Sequence, residues 1–469
     1  MSTLSAPFSF AAAVADLRTR LAGEVLVPAD GAAYDRARTA WNVTVRQRPA
    51  VLVVPTTSAE VAEAVRFARA AGLRVAVQAT GHGVARAADD VLLLLTHRLS
   101  AVEVDPVART AVVGAGAKWG AVLGPAQQHG LAPLMGSTTD VGAVGYVLGG
   151  GLGWLGRRYG LGSDSVRSFE LVTPDGIEVH CDRFEQPELF WALRGGGAGS
   201  LGVVTSMEID LYPVDTVYAG NLLYPVEMAA EVMTRWRDWV AGVGDELTSS
   251  VLVMNFPPFE HVPAPVRGQS FVIVRGCWSG DLAAGQELID EWRGWRQPAL
   301  DMFGPIPFTE ADTISNDPVD PMPALMTSEL FDTLPDEAIA AIVRAAAPAP
   351  GQPPILAFAE VRHGGGAVRT RAAGASIDRS RAAEFFFNTV AVAAVEHAEL
   401  AIDAQFRQLR RELQPYTTGA AYLNFLEGAE RCQRTADAFS QENFRRLQVV
   451  KGALDVEDRF AHGLPLSAS

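Results

Sequence analysis

The chain has 469 residues, of which 48% are hydrophobic and 20% charged, and its formal net charge is −15. This acidity argues against a nucleic-acid-binding protein, because such proteins need a basic surface to neutralise phosphates. The three cysteines, Cys181, Cys277 and Cys432, are far apart and odd in number, which excludes a disulfide framework. No apolar run reaches the ~18 residues of a membrane span, and the N-terminus does not resemble a signal peptide. We therefore expect a soluble cytoplasmic protein.

The N-terminal half alternates predicted strands and helices. An apolar strand over residues 49–55 precedes a helix that starts at Thr57, where Glu60 has capping-box spacing, and that stops at Gly72. A strand over 73–79 completes a β-α-β unit. Further strands are predicted at 91–95, 101–104, 110–113, 168–173, 176–180 and 202–211, with helices near 118–128 and 188–194.

From about Tyr212 the pattern changes to proline-rich connections, at 256–265, 303–323 and 347–354. Between them we predict strands at 249–255, 270–275, 354–363 and 384–392, and helices near 226–240, 281–295 and 395–413. This pattern indicates a second α+β domain in which a sheet is backed by helices.

The 44 glycines are unevenly spread, with ten between Gly136 and Gly162 and five between Gly195 and Gly202. Such clusters are typical of backbone that approaches a ligand closely. The first cluster contains a GxGxxG match, but glycines interrupt the helix that a Rossmann site needs, and no acidic residue stands at the right distance outside a turn. We interpret both clusters as backbone surfaces against one large flat or phosphorylated ligand.

A second candidate binding loop, Thr80-Gly81-His82-Gly83, follows directly after a predicted strand. A turn at this point directs successive amide N–H groups outward and forms an anion-binding concavity. His82 either faces that ligand or is satisfied by a nearby carbonyl. Other chemistries lack their motifs: the sequence has no GxxxxGK[ST], HExxH or GxSxG, and its eight histidines have no metal-ligand spacing.

Together these motifs resemble a known family. They comprise Thr80-Gly-His82-Gly, the run Val-Gly142-Ala-Val-Gly145-Tyr-Val-Leu-Gly-Gly-Gly-Leu-Gly-Trp-Leu-Gly-Arg-Arg-Tyr-Gly-Leu, and Tyr422-Leu-Asn424-Phe. The combination is similar to FAD-linked oxidases of the vanillyl-alcohol-oxidase type, in their berberine-bridge-enzyme-like branch.

The resemblance implies an α+β, two-domain PCMH-type FAD-binding fold. It implies an FAD-binding domain over residues 1–213, with its core at about 46–213. A substrate domain of antiparallel sheet backed by helices is expected over 214–419, and a C-terminal segment over 420–469 returns to the FAD domain.

The resemblance also assigns cofactor-binding residues. His82 matches the histidine that is linked covalently to the flavin, and residues 79–83 would cradle the pyrophosphate. Thr138 stands where many members have a second, cysteine anchor, so a single link through His82 is expected. The other residues expected at the FAD are Ala79, Thr80, Gly81, Gly83, Gly142, Gly145, Tyr146, Gly150, Val204, Tyr422 and Asn424.

The implied activity is hydride transfer from a small organic substrate to flavin N5, with O2 as acceptor and H2O2 as product. In the strand 357–363, Glu360 and Arg362 share one face by alternation. They are either the catalytic base and its partner or a structural ion pair. Tyr422 is the rival base, and Asn388 is a candidate for the same pocket.

Two alternatives to an oxidase stay open on the sequence. One is an oxygenase that uses an oxygenated flavin on a polyketide-like substrate, and the other is a flavin-binding module without turnover. The apolar second domain favours a neutral organic substrate. We expect a monomer or homodimer, with no metal and no nucleic-acid or membrane partner.

Overall fold

The computed structural model describes residues 9–348, 352–370, 374–395 and 397–467. Within these ranges, no helix has the length and apolarity needed to cross a membrane. The elements fall into two parts that meet near Pro213. We describe each part before the contacts that join them.

The first part contains two main sheets. The four-stranded sheet has the order β1-β2-β4-β3, in which β2, β4 and β3 run parallel, and the five-stranded sheet is antiparallel with the order β5-β6-β10-β8-β9. Its helices are α1 (Phe10–Arg20), α2 (Ala32–Ala37), α3 (Ser58–Ala70), α4 (Trp119–Gln127), α5 (Ala143–Leu148), α6 (Gly156–Tyr159) and α7 (Pro187–Gly196). Its strands are β1 (Glu24–Leu26), β2 (Val51–Val54), β3 (Val75–Gln78), β4 (Leu92–Leu95), β5 (Val102–Asp105), β6 (Thr110–Gly114), β7 (Leu131–Ala132), β8 (Val166–Val172), β9 (Glu178–Asp182), β10 (Val203–Asp210) and β11 (Tyr212–Pro213).

The β2-α3-β3 unit confirms the local sequence signals. The Thr57 side chain accepts from the Glu60 N–H and begins α3, and Gly72, with φ +66°, follows its end. The Glu60 side chain instead accepts from the N–H groups of Thr56 and Ala22. β4 lies between β2 and β3, so the two strands of the unit are not neighbours.

The second part is built on one antiparallel sheet of order β15-β12-β14-β13-β18-β19-β17, with β16 paired to β12. Its strands are β12 (Thr216–Pro225), β13 (Leu247–Asn255), β14 (Ser270–Trp278), β15 (Leu300–Asp301), β16 (Gly304–Pro307), β17 (Ala324–Phe331), β18 (Phe358–His363) and β19 (Phe385–Val392). Its helices are α8 (Ala229–Val240), α9 (Leu282–Trp295), α10 (Asp336–Ala346), α11 (Gly366–Thr370) and α12 (Ala398–Leu413).

A separate apolar core holds these helices on the sheet. Trp236 of α8, Trp292 of α9 and Ile342 of α10 are buried in one cluster with Val251 and Val274 of the central strands. Burial of such side chains contributes roughly 1.5–3 kcal/mol each to folding. The predicted antiparallel sheet backed by helices is confirmed, and so is the α+β class.

The chain end packs back on the first part through α13 (Gly428–Arg434) and α14 (Gln441–Leu454). Arg446 of α14 pairs with Glu188 of α7, and Leu447 is buried in the first part's core. This packing agrees with a C-terminal segment that returns to the first part. The boundaries 1–213, 214–419 and 420–469 stay predictions.

A buried ion pair joins the two parts near their interface. Arg381, which lies just before β19, donates through both terminal nitrogens to Asp164 of the first part, at 2.6 and 2.8 Å. The two side chains are 1% and 2% exposed. Arg194 lies farther from Asp164, at 3.8 Å, so the bidentate contact with Arg381 is the main compensation of this buried charge and fixes how the second part seats on the first.

We expect Arg381→Ala to lower the free energy of unfolding by about 3–5 kcal/mol, because Asp164 is left without its bidentate partner. Denaturant unfolding followed by fluorescence measures this. Arg407→Ala is the matched control: it removes the exposed Arg407–Asp403 pair and should change stability by less than about 1 kcal/mol. Equal losses in the two variants would contradict the special role of Arg381.

Candidate functional site

The structure brings the two motifs of the first part together. A Cβ placed on Gly142 would lie 3.3 Å from the Ala79 Cβ and 3.7 Å from a Thr80 methyl carbon. Gly142 also forms an antiparallel bridge with Lys118, which precedes α4. The backbone of the first glycine cluster therefore lies against the loop at residues 79–83.

The loop at 79–83 presents free backbone donors. The carbonyls of Thr80 and Gly81 accept from the N–H groups of Trp41 and Asn42. In contrast, the N–H groups of residues 80–83 donate to no acceptor in the described part of the chain. A row of unpaired N–H groups is the arrangement that binds a phosphate or pyrophosphate.

His82 is held in this loop by three neighbours. Its ring stacks on Trp41 with centroids 4.3 Å apart, its Nδ1 lies 2.8 Å from the Thr80 hydroxyl, and its Nε2 lies 3.9 Å from an Asp140 carboxylate oxygen. Nε2 is buried and has no hydrogen-bond partner among the described residues. Burial lowers the pKa of His82 to about 4, more than nearby Asp140 raises it, so the imidazole is neutral at pH 7.

Thr138 lies on the segment that carries Asp140. Its hydroxyl accepts from the Asp140 N–H at 3.2 Å, and the neighbouring hydroxyls of Ser137 and Thr139 donate to Asp317 and Asp312 of the second part. No thiol stands at this position, so the segment can hold a cofactor through polar contacts alone.

Most of the clustered glycines make room for protein atoms. Side-chain carbons at Gly136 and Gly151 would meet the Tyr146 ring, and one at Gly150 would lie 3.2 Å from the Tyr422 ring. In the second cluster, a Cβ on Gly196 would meet Leu447 and Ser376, and the other members also abut protein. At most of these positions the missing Cβ makes room for protein atoms, and the interpretation of the backbone as a surface against one ligand stays a prediction.

Gly145 is the exception in the first cluster. A Cβ on Gly145 would have no heavy atom within 4 Å. Together with the free N–H groups of residues 80–83, this open position marks the face of the cluster that a flat ligand can approach.

Tyr422 and Asn424 pack directly on the first glycine cluster. The Asn424 amide donates to the Tyr146 carbonyl at 2.9 Å. The Tyr146 hydroxyl is buried and lacks a partner within the described ranges, whereas the backbone N–H groups of Gly151 and Leu152 approach the buried Tyr422 hydroxyl. Burial raises the pKa of both phenols, so both keep their protons at neutral pH. Both are neutral hydroxyls that can hydrogen-bond a ligand.

Glu360 and Arg362 lie on β18 and are paired. The Arg362 Nε donates to Glu360 at 2.7 Å, and the Ser250 hydroxyl donates to the other carboxylate oxygen at 2.7 Å. Arg275 lies 3.7 Å from the same carboxylate. Burial alone raises the pKa of Glu360, but Arg362, Arg275 and Ser250 outweigh it and hold that pKa below its ordinary value. The carboxylate is therefore ionised at neutral pH.

A small cavity of about 10 Å³, the space of one water molecule, lies between Arg362 and the glycine cluster. Its walls come from both parts of the chain, namely Ser137, Leu152, Gly153 and Trp154 on one side and Thr248, Ser249, Arg362 and His363 on the other. The side-chain N–H of Trp154, on one wall, is buried and has no partner among the described residues. The same is true of the side-chain oxygen of Asn388 on β19. Glu360 of β18 is paired in register with Asn388 of β19, so these two predicted pocket residues lie on the same face of the sheet.

Val204 lies at the start of β10, apart from this cavity, where it pairs with Leu171.

Sequence reasoning missed Glu427 and Arg431, which lie beside the site. Arg431 donates to the Gly83 carbonyl at 3.3 Å, and one Glu427 oxygen is buried without a described partner. Burial raises the pKa of Glu427 to about 7. Glu427 lies just before α13, and the sequence around it contains no motif that indicates its buried position.

The residues present fit FAD. Free N–H donors suit its pyrophosphate, the open face at Gly145 suits a flat ring, and a neutral imidazole with a buried unpartnered nitrogen stands beside them. No covalent link is implied by this fit alone.

We expect Gly81→Ala to lower the flavin content of the purified protein at least tenfold. Gly81 has φ +82°, and an added Cβ would lie 2.6 Å from the Ala40 Cβ, so the loop must shift. The ratio of flavin to protein absorbance measures the effect. Gly124→Ala is the control, because a Cβ there meets no atom within 4 Å and should leave flavin content unchanged. Full flavin content in Gly81→Ala would contradict the role of the loop.

Comparison with known proteins agrees with this fit. Residues 49–182 match the model of a family described as an FAD binding domain. (R)-6-hydroxynicotine oxidase of Paenarthrobacter nicotinovorans is 34% identical over 236 residues, which is 49% of this chain and 51% of that protein. The chain thus spans about half the length of this curated relative in the alignment.

Solved structures extend the likeness to nearly the whole chain. The 6-hydroxy-D-nicotine oxidase from Arthrobacter nicotinovorans superposes with a TM-score of 0.81 at 25% identity, over 95% of this chain and 98% of that one. Berberine bridge enzyme from Eschscholzia californica has the same fold, with a TM-score of 0.82 at 17% identity and 98% coverage of both chains. Residues 49–182 therefore match an FAD binding domain, and the chain as a whole has the fold of these FAD-linked oxidases.

Proposed function

We propose that this chain is an FAD-dependent oxidase that removes a hydride from a small, neutral organic substrate and passes the electrons to O2, releasing H2O2. The observation that carries the proposal is the loop at residues 79–83, whose free N–H groups and neutral His82 fit FAD, in a chain whose second part holds an ionised, buried carboxylate at Glu360. FAD, when bound, supplies the two-electron acceptor, while the protein orients the substrate and handles its protons.

Compensated charge supports a neutral substrate. Arg362 and Arg275 share Glu360, and Asp317 also acts on both guanidinium groups. Two positive and two negative side chains thus leave no net charge in this group. A phosphorylated or strongly ionic substrate would find no opposite charge to pair with here.

Glu360 is the better candidate base. It is ionised at neutral pH and can accept a proton from a substrate O–H or N–H, either directly or through a shift of Ser250. Arg362 and Arg275 keep the carboxylate in its proton-accepting form. Tyr422 keeps its proton, since burial raises its pKa, and suits the role of a hydrogen-bond partner to a bound ring.

The cofactor would be held through the first part. Residues 79–83 would donate N–H groups to the pyrophosphate, and Gly142, Gly145, Tyr146 and Gly150 would line the ring. Asn424 steadies that backbone through Tyr146. His82 is the proposed covalent anchor, since its neutral imidazole has a nucleophilic nitrogen at pH 7.

Acid precipitation tests the cofactor assignment. We expect the yellow colour to stay with the precipitated wild-type protein and to move to the supernatant in His82→Ala, because the bond is lost with the imidazole. His180→Ala, which alters a histidine on β9, is the matched control and should retain the flavin. Flavin that leaves the wild-type protein on precipitation would refute covalent attachment.

Anaerobic bleaching tests the activity. A panel of hydroxylated aromatics, alkaloids, polyketides and oligosaccharides is mixed with the protein, and loss of the flavin absorbance identifies a substrate. With that substrate and O2, peroxide should equal product. Labelled oxygen in the product instead would point to an oxygenase, and no bleaching by any class would favour a binding module.

The pH dependence of turnover tests Glu360. The ionised carboxylate is the active form and its pKa lies below the ordinary 4.5, so wild-type kcat/KM should be flat from pH 5 upward and fall only at lower pH. Glu360→Gln should lower kcat by about 10²-fold or more and lose that acidic limb. Glu337→Gln, on the exposed face of α10, is the control. A wild-type rate in Glu360→Gln would exclude the carboxylate as base.

A further inference from the structure

Asp140 bridges two side chains that the proposed function does not connect. One carboxylate oxygen is bonded to Lys118, and the other lies 3.9 Å from the His82 Nε2. Nε2 is buried and has no other described partner. The Asp140 carboxylate therefore faces an imidazole nitrogen that has no hydrogen-bond partner among the described residues.

The backbone around Asp140 is fixed on both sides. The N–H groups of Trp119 and Gly120 donate to the carbonyls of Val141 and Thr139, at 3.1 and 2.9 Å. Within the segment, Thr138 accepts from the Asp140 N–H. These hydrogen bonds to Trp119 and Gly120 fix the backbone on both sides of Asp140 and so hold its carboxylate near His82.

The two partners of His82 set its tautomer. A neutral imidazole has one N–H and one lone pair, and the hydrogen bond at one nitrogen decides which is which. At 3.9 Å the Asp140 carboxylate forms no hydrogen bond with Nε2, but its negative charge favours the tautomer in which that nitrogen carries the hydrogen. The Thr80 hydroxyl, which can donate, then faces the lone pair on Nδ1 at 2.8 Å.

We propose that Asp140 is a positioning residue for covalent flavin attachment: its charge, 3.9 Å from Nε2, favours a hydrogen on that nitrogen and so leaves the Nδ1 lone pair for the cofactor. This inference rests on the proposed covalent link through His82. Thr138, at the position where related proteins carry a second anchor, serves here to fix Asp140.

The attachment step balances with O2 as the oxidant. His82 Nδ1 gains a bond to the flavin 8α carbon, and that carbon loses one hydrogen. The imidazole loses its Nε2 hydrogen, which Asp140 accepts and passes to solvent. The two hydrogens and their two electrons reduce one O2 to H2O2, so no further oxidant is required.

The test compares the rate of covalent attachment in Asp140→Asn, Asp140→Glu and wild-type protein. Purified protein is incubated with added FAD in air, and the attached fraction is followed by acid precipitation and by intact mass. We expect attachment at least tenfold slower in Asp140→Asn, because an amide can donate to Nε2 and favour the other tautomer. Asp140→Glu should recover part of the rate. Asp175→Asn, in the turn before β9, is the control and should match wild type.

The outcomes separate this inference from the proposed function. A wild-type protein that releases all flavin on precipitation refutes the link through His82 and with it the role of Asp140. A wild-type protein that retains flavin, with an equal rate in Asp140→Asn, refutes the role of Asp140 alone. Non-covalent FAD binding and circular dichroism establish that each variant is folded. If Asp140→Asn does not fold, attachment in Asp140→Glu at less than half the wild-type rate supports the proposal, and a wild-type rate refutes it.

Discussion

The buried pair between Arg381 and Asp164 is the constraint on which the site depends. Asp164 follows the first glycine cluster by two residues, and Arg381 precedes β19 by four, so the pair ties the cluster to the sheet that carries Glu360. A fully desolvated pair tolerates little displacement, because each charge alone would be strongly unfavourable. The separation between Trp154 and Arg362 across the cavity follows from this attachment and from the Asn424 contact with Tyr146.

Part of the first glycine cluster is explained by packing inside the protein and needs no ligand. Tyr146 turns its ring into the cluster, and glycines at 136 and 151 are needed because any Cβ would meet that ring. The ring in turn packs edge-on against Trp119, at 5.7 Å between centroids. A rigid aromatic support thus lies under the backbone, and the open face at Gly145 is narrow. The protein gives a flat ligand a firm surface because its own side chains fill the other side.

Much of the fold could be predicted from the sequence, because local signals and periodicity agree with the tertiary structure. The strand over 51–54 and the helix that Thr57 caps are examples. β12 and β17 were missed, since Gly220 with Asn221 interrupts one and Thr327 to Glu329 interrupt the other with polar residues. Those polar residues are satisfied by distant groups: Asn221 donates to Ile314, and Glu329 accepts from Arg434. Such partners are not visible in a local sequence pattern.

The site was predictable only where a motif carried it. His82, Tyr422 and Asn424 were predicted from their motifs, whereas Asp140 and Glu427 owe their environment to other chain segments that no motif links to them. Both lysines of the chain form an ion pair with an aspartate: Lys118 pairs with Asp140, and Lys451 pairs with Asp455. An ammonium group is a compact charge that can hold one carboxylate oxygen and leave the other free for a second partner. Next to the proposed cofactor position, Lys118 thus offsets the charge of Asp140, although the chain as a whole carries a net charge of −15.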